Sequence, residues 1–115
     1  MLFASLWEQY HKVMARRHFR LGQSAQCLHH LNALTDQALD FKREPKLSAY
    51  LALCHFRLQY WENISIEVET ALFLLRRYIQ EDKESFVLWQ ELKSYLAELQ
   101  LAERQSETVN HVSVI

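Results

Sequence analysis

Residues 18–22 read HFRLG, and residues 55–59 read HFRLQ. Four of these five positions are identical at an offset of 37 residues. A shared helical phase around both copies indicates a duplicated helix–turn–helix unit, and stacked copies of such a unit bury their apolar faces on one another. The same offset aligns further pairs on both sides: Met14-Ala15 with Leu51-Ala52, Leu31 with Val68, and Leu34 with Ala71.

The composition excludes most alternatives to a helical fold. Half of the 115 residues are apolar, but the chain has one glycine and one proline. Tight turns between strands depend on Gly, Asn and Pro, so a sandwich or barrel of many short strands is excluded. A single glycine also excludes a glycine-rich phosphate loop and a dinucleotide-binding fingerprint. The sequence therefore predicts an all-α domain.

Five segments carry apolar residues every three or four positions, which predicts five helices. Gly22 follows the first stripe as a helix-ending residue, and Pro45 suits the first turn of the third helix. Residues 47–59 are apolar on nearly all sides, which predicts a central helix packed on two sides. Residues 64–69 alternate like a strand, but a single strand would have no partner, so we predict a helix there.

The chain resembles the tetratricopeptide family over roughly residues 8–79. Met14-Ala15 and Leu51-Ala52 match the large and small apolar pair of that family's first helix, and Gly22 matches its turn glycine. The resemblance implies a five-helix antiparallel hairpin array within a single domain at residues 1–105. Its parts are hairpins at about 2–42 and 46–81, a capping helix at about 84–105, and a flexible C-terminal tail at 106–115.

The resemblance further implies a concave peptide-binding groove along the first and third helices. Independently of any family, the spacing of Lys12, Arg16 and Arg20 places three cations on one helix face. A cationic groove with an apolar floor suits an acidic or C-terminal peptide, because carboxylates form charge-assisted hydrogen bonds with such side chains. The groove positions carried over from the family are Gln9, Lys12, Arg16, Phe19, Arg20, Leu53, Phe56 and Arg57.

These features favour a non-catalytic protein–protein interaction module, either an adaptor or a secretion-type chaperone. The alternative is a homodimeric helical bundle with a regulatory or structural role. Residues 1–61 carry a balance of +4 and residues 62–115 a balance of −5, which is compatible with a charged partner or with contact between copies. Nucleic-acid binding is the third reading, although four cations on one helix are few in a net-negative protein.

We expect no enzymatic activity, cofactor or metal. Cys27 and Cys54 lie on apolar helix faces and are predicted to be buried, unreactive thiols. Glu8 and His11 have the Glu-x-x-His spacing of di-iron bundles, but no second such motif occurs, and no zinc-binding spacing is present. The opening residues lack a basic signal region and no long apolar run follows, so we expect a cytoplasmic protein without a membrane partner.

Overall fold

Five α-helices form the fold. A computed structural model describes the backbone of residues 2–36 and 41–114, and the side chains of residues 5–36, 41 and 43–106. No strand occurs in these ranges, so the predicted all-α class with five helices is confirmed. A short 3-10 helix at Phe41–Arg43 precedes the third helix. The α-helices are α1 (Leu2–Arg20), α2 (Ser24–Asp36), α3 (Pro45–Arg57), α4 (Ile64–Leu75) and α5 (Lys83–Val114).

The turns that follow α1 and α3 have the same hydrogen bonds. After α1, the amide of Gly22 donates to the carbonyl of Phe19 at 3.0 Å and that of Gln23 to His18 at 2.8 Å. The corresponding bonds after α3, 37 residues further on, measure 3.1 and 2.8 Å. Gly22 and Gln59 both have positive φ, 73° and 62°. This pairing of bonds ends a helix and directs the chain back along it.

The central helix of the fold is α3, as its apolar sequence predicted. It contacts each of the other four α-helices. Its Tyr50 is the largest fully buried side chain among the described residues. Ala15 of α1 and Ala52 of α3, which the 37-residue offset aligns, are both fully buried. Small residues at these two positions allow neighbouring helices to approach closely.

Helices α1, α3 and the start of α5 lie side by side. α1 packs on α2 and α3 packs on α4, and α3 also contacts both α1 and α5. α5 in turn packs against α4, so that it continues the row formed by α1 and α3. This row forms the surface on which the candidate site lies.

Two helix boundaries differ from the predicted ones. α4 ends at Leu75 rather than near residue 81, and turns follow. In these turns the amide of Tyr78 donates to the carbonyl of Leu75 at 2.8 Å, a three-residue step rather than the four of an α-helix. Asp82 then caps α5: its carboxylate accepts hydrogen bonds from the amide of Glu84 at 3.1 Å and from the hydroxyl of Ser85 at 3.1 Å.

The other difference concerns the C-terminal part of the chain. α5 continues to Val114, past residue 105, where the capping helix was predicted to end. Neither Gly nor Pro occurs after residue 45, so no helix-breaking residue stops α5 in this stretch. The flexibility of residues 106–115 stays a prediction. Residues 37–40, which the sequence predicted to continue the second helix, lie outside the described residues.

Candidate peptide-binding groove

An open groove of about 500 Å³ lies where α1, the start of α3 and the start of α5 meet. α1 contributes four residues from one of its faces, and α3 contributes its first turn. The segment before α5 closes the third side with Tyr78 and Asp82. The lining residues are Gln9, Lys12, Val13, Arg16, Glu44, Pro45, Lys46, Leu47, Tyr78, Asp82 and Ser85.

Ion pairs within the chain neutralise most of the cations in this groove. The ammonium of Lys12 lies 2.7 Å from the carboxylate of Glu44 and 4.0 Å from that of Glu8. Lys46 pairs with Asp82, and its ammonium lies 3.5 Å from Glu84. The hydrogen bond from Lys46 is the largest cause that lowers the pKa of Asp82. The groove is therefore of mixed charge rather than uniformly basic.

Arg16 differs from these lysines. It is exposed at the groove, and no described carboxylate pairs with it. Its guanidinium lies near the Tyr50 hydroxyl and partly offsets the rise in the pKa of that group. A guanidinium presents several donors in a planar fork, so Arg16 retains donors for a carboxylate from outside the chain.

A polar network that is buried at Tyr50, partly buried at Glu84 and exposed at Arg20 joins α1, α3 and α5. The hydroxyl of Tyr50 donates to one carboxylate oxygen of Glu84 at 2.7 Å, and Arg20 donates to the other at 2.7 and 3.1 Å. Burial opposes ionisation of Glu84, but the hydrogen bonds from Arg20 and Tyr50, together with the charges of Lys46 and Arg20, outweigh it, so the pKa of Glu84 is lowered. Burial and the neighbouring carboxylate raise the pKa of Tyr50. This network fixes α5 against α1 and α3.

The predicted groove residues fall into three groups. Gln9, Lys12 and Arg16 line the groove described above. Phe19, Arg20 and Arg57 line a second, more open depression of about 550 Å³ between α1, α3 and α5. The remaining two, Leu53 and Phe56, line neither of these surfaces.

Leu53 and Phe56 require a correction. Leu53 is fully buried in the core, so it presents no surface to a partner. The ring of Phe56 stacks on Tyr95 of α5, with ring centroids 3.9 Å apart and planes 7° apart. The groove positions taken from the family resemblance did not account for α5, which packs beside α3 and covers this part of α3. Leu53 and Phe56 are packing residues in this fold.

Arg57 is also held by α5. Its guanidinium donates to both carboxylate oxygens of Glu91, at 2.8 and 3.0 Å, and lies 4.7 Å from the ring centroid of Phe19. Phe19 itself stacks on Tyr50 at 4.3 Å. The acidic second half of the chain thus supplies the carboxylate that pairs with Arg57.

Several groove residues carried no signal in the sequence. Val13, Leu47 and Tyr78 form its apolar part, and Lys46 and Ser85 belong to its polar part. These residues come from a helix face, two helix starts and a turn, and only the packing of three helices brings them together. Pro45 was identified as a helix start, but a helix start alone does not indicate a binding surface.

The α1–α2 hairpin contains a histidine cluster that the sequence did not reveal. The Nδ1 atoms of His11 and His30 are 2.8 Å apart, and the ring of His18 stacks on that of His30 at 5.5 Å. Burial is the main cause that lowers the pKa of both His11 and His30, and neighbouring histidines add to it. Among the described residues, no three His, Cys, Asp or Glu side chains converge as a metal site would require.

The two cysteines offer no exposed nucleophile. Cys27 and Cys54 are both fully buried, Cys27 in α2 and Cys54 in α3. The neighbouring Cys54 thiol and burial raise the pKa of Cys27. A buried thiol of this kind is poorly reactive, because the thiolate is the nucleophile.

Comparison with known proteins does not identify a family. No model of a protein family, no curated protein and no solved structure matches the chain. Within the part of the chain that the structure describes, none of the helices has both the length and the apolar character needed to cross a lipid bilayer.

Proposed function

We propose that this chain is a non-catalytic protein–protein interaction module that binds a peptide or helix in the groove between α1, α3 and α5. The observation that carries the proposal is the open groove of about 500 Å³, in which apolar side chains lie beside Arg16. Such a combination suits a short segment that presents a carboxylate next to apolar residues. The partner is therefore a protein or peptide with acidic character.

The tetratricopeptide-like architecture is part of this proposal. The shared hydrogen bonds at the ends of α1 and α3, 37 residues apart, support two repeat-like hairpins with α5 as the capping helix. Buried residues at aligned positions, such as Leu31 and Val68, support the same arrangement. An adaptor or a secretion-type chaperone of the cytoplasm is the role that we propose for such a module.

Charge reversal at Arg16 tests the groove. A library of short peptides, half of them acidic and half neutral, is measured against the wild type by fluorescence anisotropy. We expect acidic peptides with apolar residues to bind, and Arg16→Glu to weaken them about tenfold or more, about 1.4 kcal/mol. Arg77→Glu is the matched control, since Arg77 is exposed and outside the groove lining. Binding that is unaffected by Arg16→Glu, or the absence of any binding peptide, contradicts the proposal.

Nucleic-acid binding has less support. Lys12 and Arg20 are paired with Glu44 and Glu84, which leaves Arg16 and Arg17 as the cations of α1 without a described carboxylate partner. Two such cations provide a small electrostatic contribution to binding phosphates. Tight binding to DNA or RNA at low salt, with a steep salt dependence, would favour this reading over the peptide groove.

A further inference from the structure

One face of α1 is apolar and uncovered. Leu6, Tyr10, Val13 and Leu21 are 59%, 54%, 62% and 61% exposed, and the exposed Arg17 lies between the last two. We refer to these five residues as the α1 stripe. Their spacings of four, three, four and four residues place them on one helix face. Leu21 continues this face because its amide still donates to the carbonyl of Arg17 at 3.1 Å, as in a helical turn.

The opposite face of α1 already has its partners. His11 and Ala15 are buried against the rest of the fold, and α1 packs on α2 and α3. The ring of Tyr10 makes T-shaped contacts with the rings of His11 and His30, but more than half of the Tyr10 surface is exposed to solvent. A row of large exposed apolar side chains on one helix is typical of a protein interface.

The pattern of the stripe is nearly symmetric about its centre. A two-fold axis that crosses α1 between Val13 and Met14 would place Leu6 of one copy opposite Leu21 of the other, and Tyr10 opposite Arg17. Two antiparallel copies would therefore place leucine opposite leucine at both ends and valine beside valine at the centre. A two-fold interface requires this kind of self-complementarity, because residue i meets residue j and residue j meets residue i.

The charges also suit this arrangement. Each Arg17 would lie on the Tyr10 ring of the other copy, where a guanidinium is attracted to the aromatic face. The two Arg17 residues would be separated along the helix axis by about seven residues, or about 10 Å. That distance is close to the screening length at physiological salt, so their repulsion is small.

We propose that the α1 stripe is the interface of a homodimer, in which α1 of a second copy of this chain packs antiparallel across a two-fold axis near Val13. The interface lies beside the peptide groove. Of the five stripe residues only Val13 also lines the groove, so the variants at Leu6 and Leu21 leave its lining unchanged. One helix from each copy gives a small interface, at the lower end of the range for specific complexes. We therefore expect a dissociation constant of about 1–100 µM, a range typical of weak dimers.

The first test is the mass in solution, measured by sedimentation equilibrium from about 5 to 500 µM, a range that brackets the expected dissociation constant. The wild type is expected to shift from 13.8 kDa towards twice that mass. Leu6→Glu and Leu21→Lys should each remain monomeric, since a charge then faces a leucine. The matched control Ile66→Glu, at an exposed position of α4, should dimerise like the wild type. Circular dichroism checks that each variant keeps its helix content.

The second test fixes the register. An equimolar mixture of the Leu6→Glu and Leu21→Lys proteins should form a heterodimer, because the new carboxylate of one copy lies opposite the new ammonium of the other. Within one chain, positions 6 and 21 are about 22 Å apart along the helix, so this rescue is intermolecular. Two folded variants that stay monomeric when mixed overturn the antiparallel register.

Other outcomes overturn the proposal in distinguishable ways. A wild type that is monomeric at 500 µM, or a Leu6→Glu protein that dimerises as well as Ile66→Glu, excludes the α1 stripe as the interface. A mass that grows beyond that of a dimer indicates head-to-tail contacts, which do not close. Peptide binding that persists in a monomeric wild type would leave the proposed function standing while the dimer fails.

Discussion

Gly22 and Gln59 end α1 and α3 in the same left-handed conformation but are different residue types. Glycine adopts positive φ without steric cost, whereas a residue with a side chain is disfavoured there by about 1–2 kcal/mol. The turn after α3 therefore contains local strain that the turn after α1 lacks. The strain persists because the hydrogen bonds and the buried residues on both sides of the turn hold it in place.

Reciprocal substitutions test this difference. Gly22→Ala should lower the free energy of unfolding by about 1 kcal/mol, and Gln59→Gly should raise it by about 0.5 kcal/mol, because glycine also gains entropy in the unfolded chain. A Cβ atom at Gly22 would meet nothing within 4 Å, so the cost comes from the backbone alone. Urea unfolding measures both changes. The two changes in the free energy of unfolding need not be equal in size. A Gln59→Gly protein that is less stable than the wild type would contradict the prediction.

The Tyr50 hydroxyl is the second residue whose contribution can be isolated. It is fully buried and donates to the partly buried carboxylate of Glu84, and such hydrogen bonds to charged groups contribute more than neutral ones. Tyr50→Phe should lower the free energy of unfolding by about 1–2 kcal/mol. Tyr95→Phe, which removes a 2.9 Å bond to Glu91 from a less buried tyrosine, should cost less. A larger loss for Tyr95→Phe in urea unfolding would contradict this ranking.

At the scale of the helices, His11 of α1 and His30 of α2 form a contact that joins the two helices of the first hairpin. A bond between the Nδ1 atoms of His11 and His30 requires one of them to accept, so protonation of both rings disrupts it. The pKa of each ring is lowered in the folded state, so the unfolded chain binds protons first as the pH falls. Stability is therefore complete above the unfolded value of about 6.5 and decreases as the pH falls towards the folded values.

This linkage predicts a pH dependence that one variant should reduce. Between pH 7.5 and 5.0 the free energy of unfolding of the wild type should fall, and in His30→Phe it should fall less. Asp82 and Glu84 contribute little in this window, because the unfolded carboxyls bind protons mainly below about pH 5 and the lowered pKa values keep the folded ones charged. His29→Gln, at an exposed position of α2, should keep most of the dependence. Parallel curves for the wild type and His30→Phe in urea unfolding would contradict the prediction.

Across the whole molecule, the two oppositely charged halves of the chain meet within one domain. Arg20 pairs with Glu84, and Arg57 pairs with Glu91. Each pair joins the basic first half to the acidic α5, so much of the charge asymmetry is neutralised inside the chain. Exposed pairs of this kind add little stability individually, but they orient α5 against the row of α1 and α3.

At this scale we also predict how much of α5 the domain needs in order to keep its stability. Leu99 is the last described residue that packs on the core, and residues 100–106 are exposed. Because the sequence predicts a flexible tail at 106–115, a chain that ends at Ser106 should keep its free energy of unfolding within about 0.5 kcal/mol. A chain that ends at Ser94 loses the Tyr95 ring on Phe56 and should lose about 3 kcal/mol or more. Thermal unfolding compares the two, and a large loss at Ser106 would contradict the prediction.

The sequence by itself determined the fold class and the positions at which the helices α1 and α3 end. The scarcity of glycine and proline, the apolar period and the repeated HFRL segment all reflect local geometry, which acts between residues close in the chain. The central place of α3 followed from its apolar surface for the same reason. Lys12 and Arg16 were placed on one surface by their spacing along a single helix, and Gln9 by the family resemblance.

Only the tertiary structure decided which surface stays open. The sequence did not show that α5 would cover Phe56 and pair with Arg57, or that Tyr78 and Asp82 would complete the groove. The His11–His30 pair likewise depends on how α1 and α2 pack. Contacts between distant segments depend on the packing angles and distances of whole helices, and the period of a single segment carries no information about them.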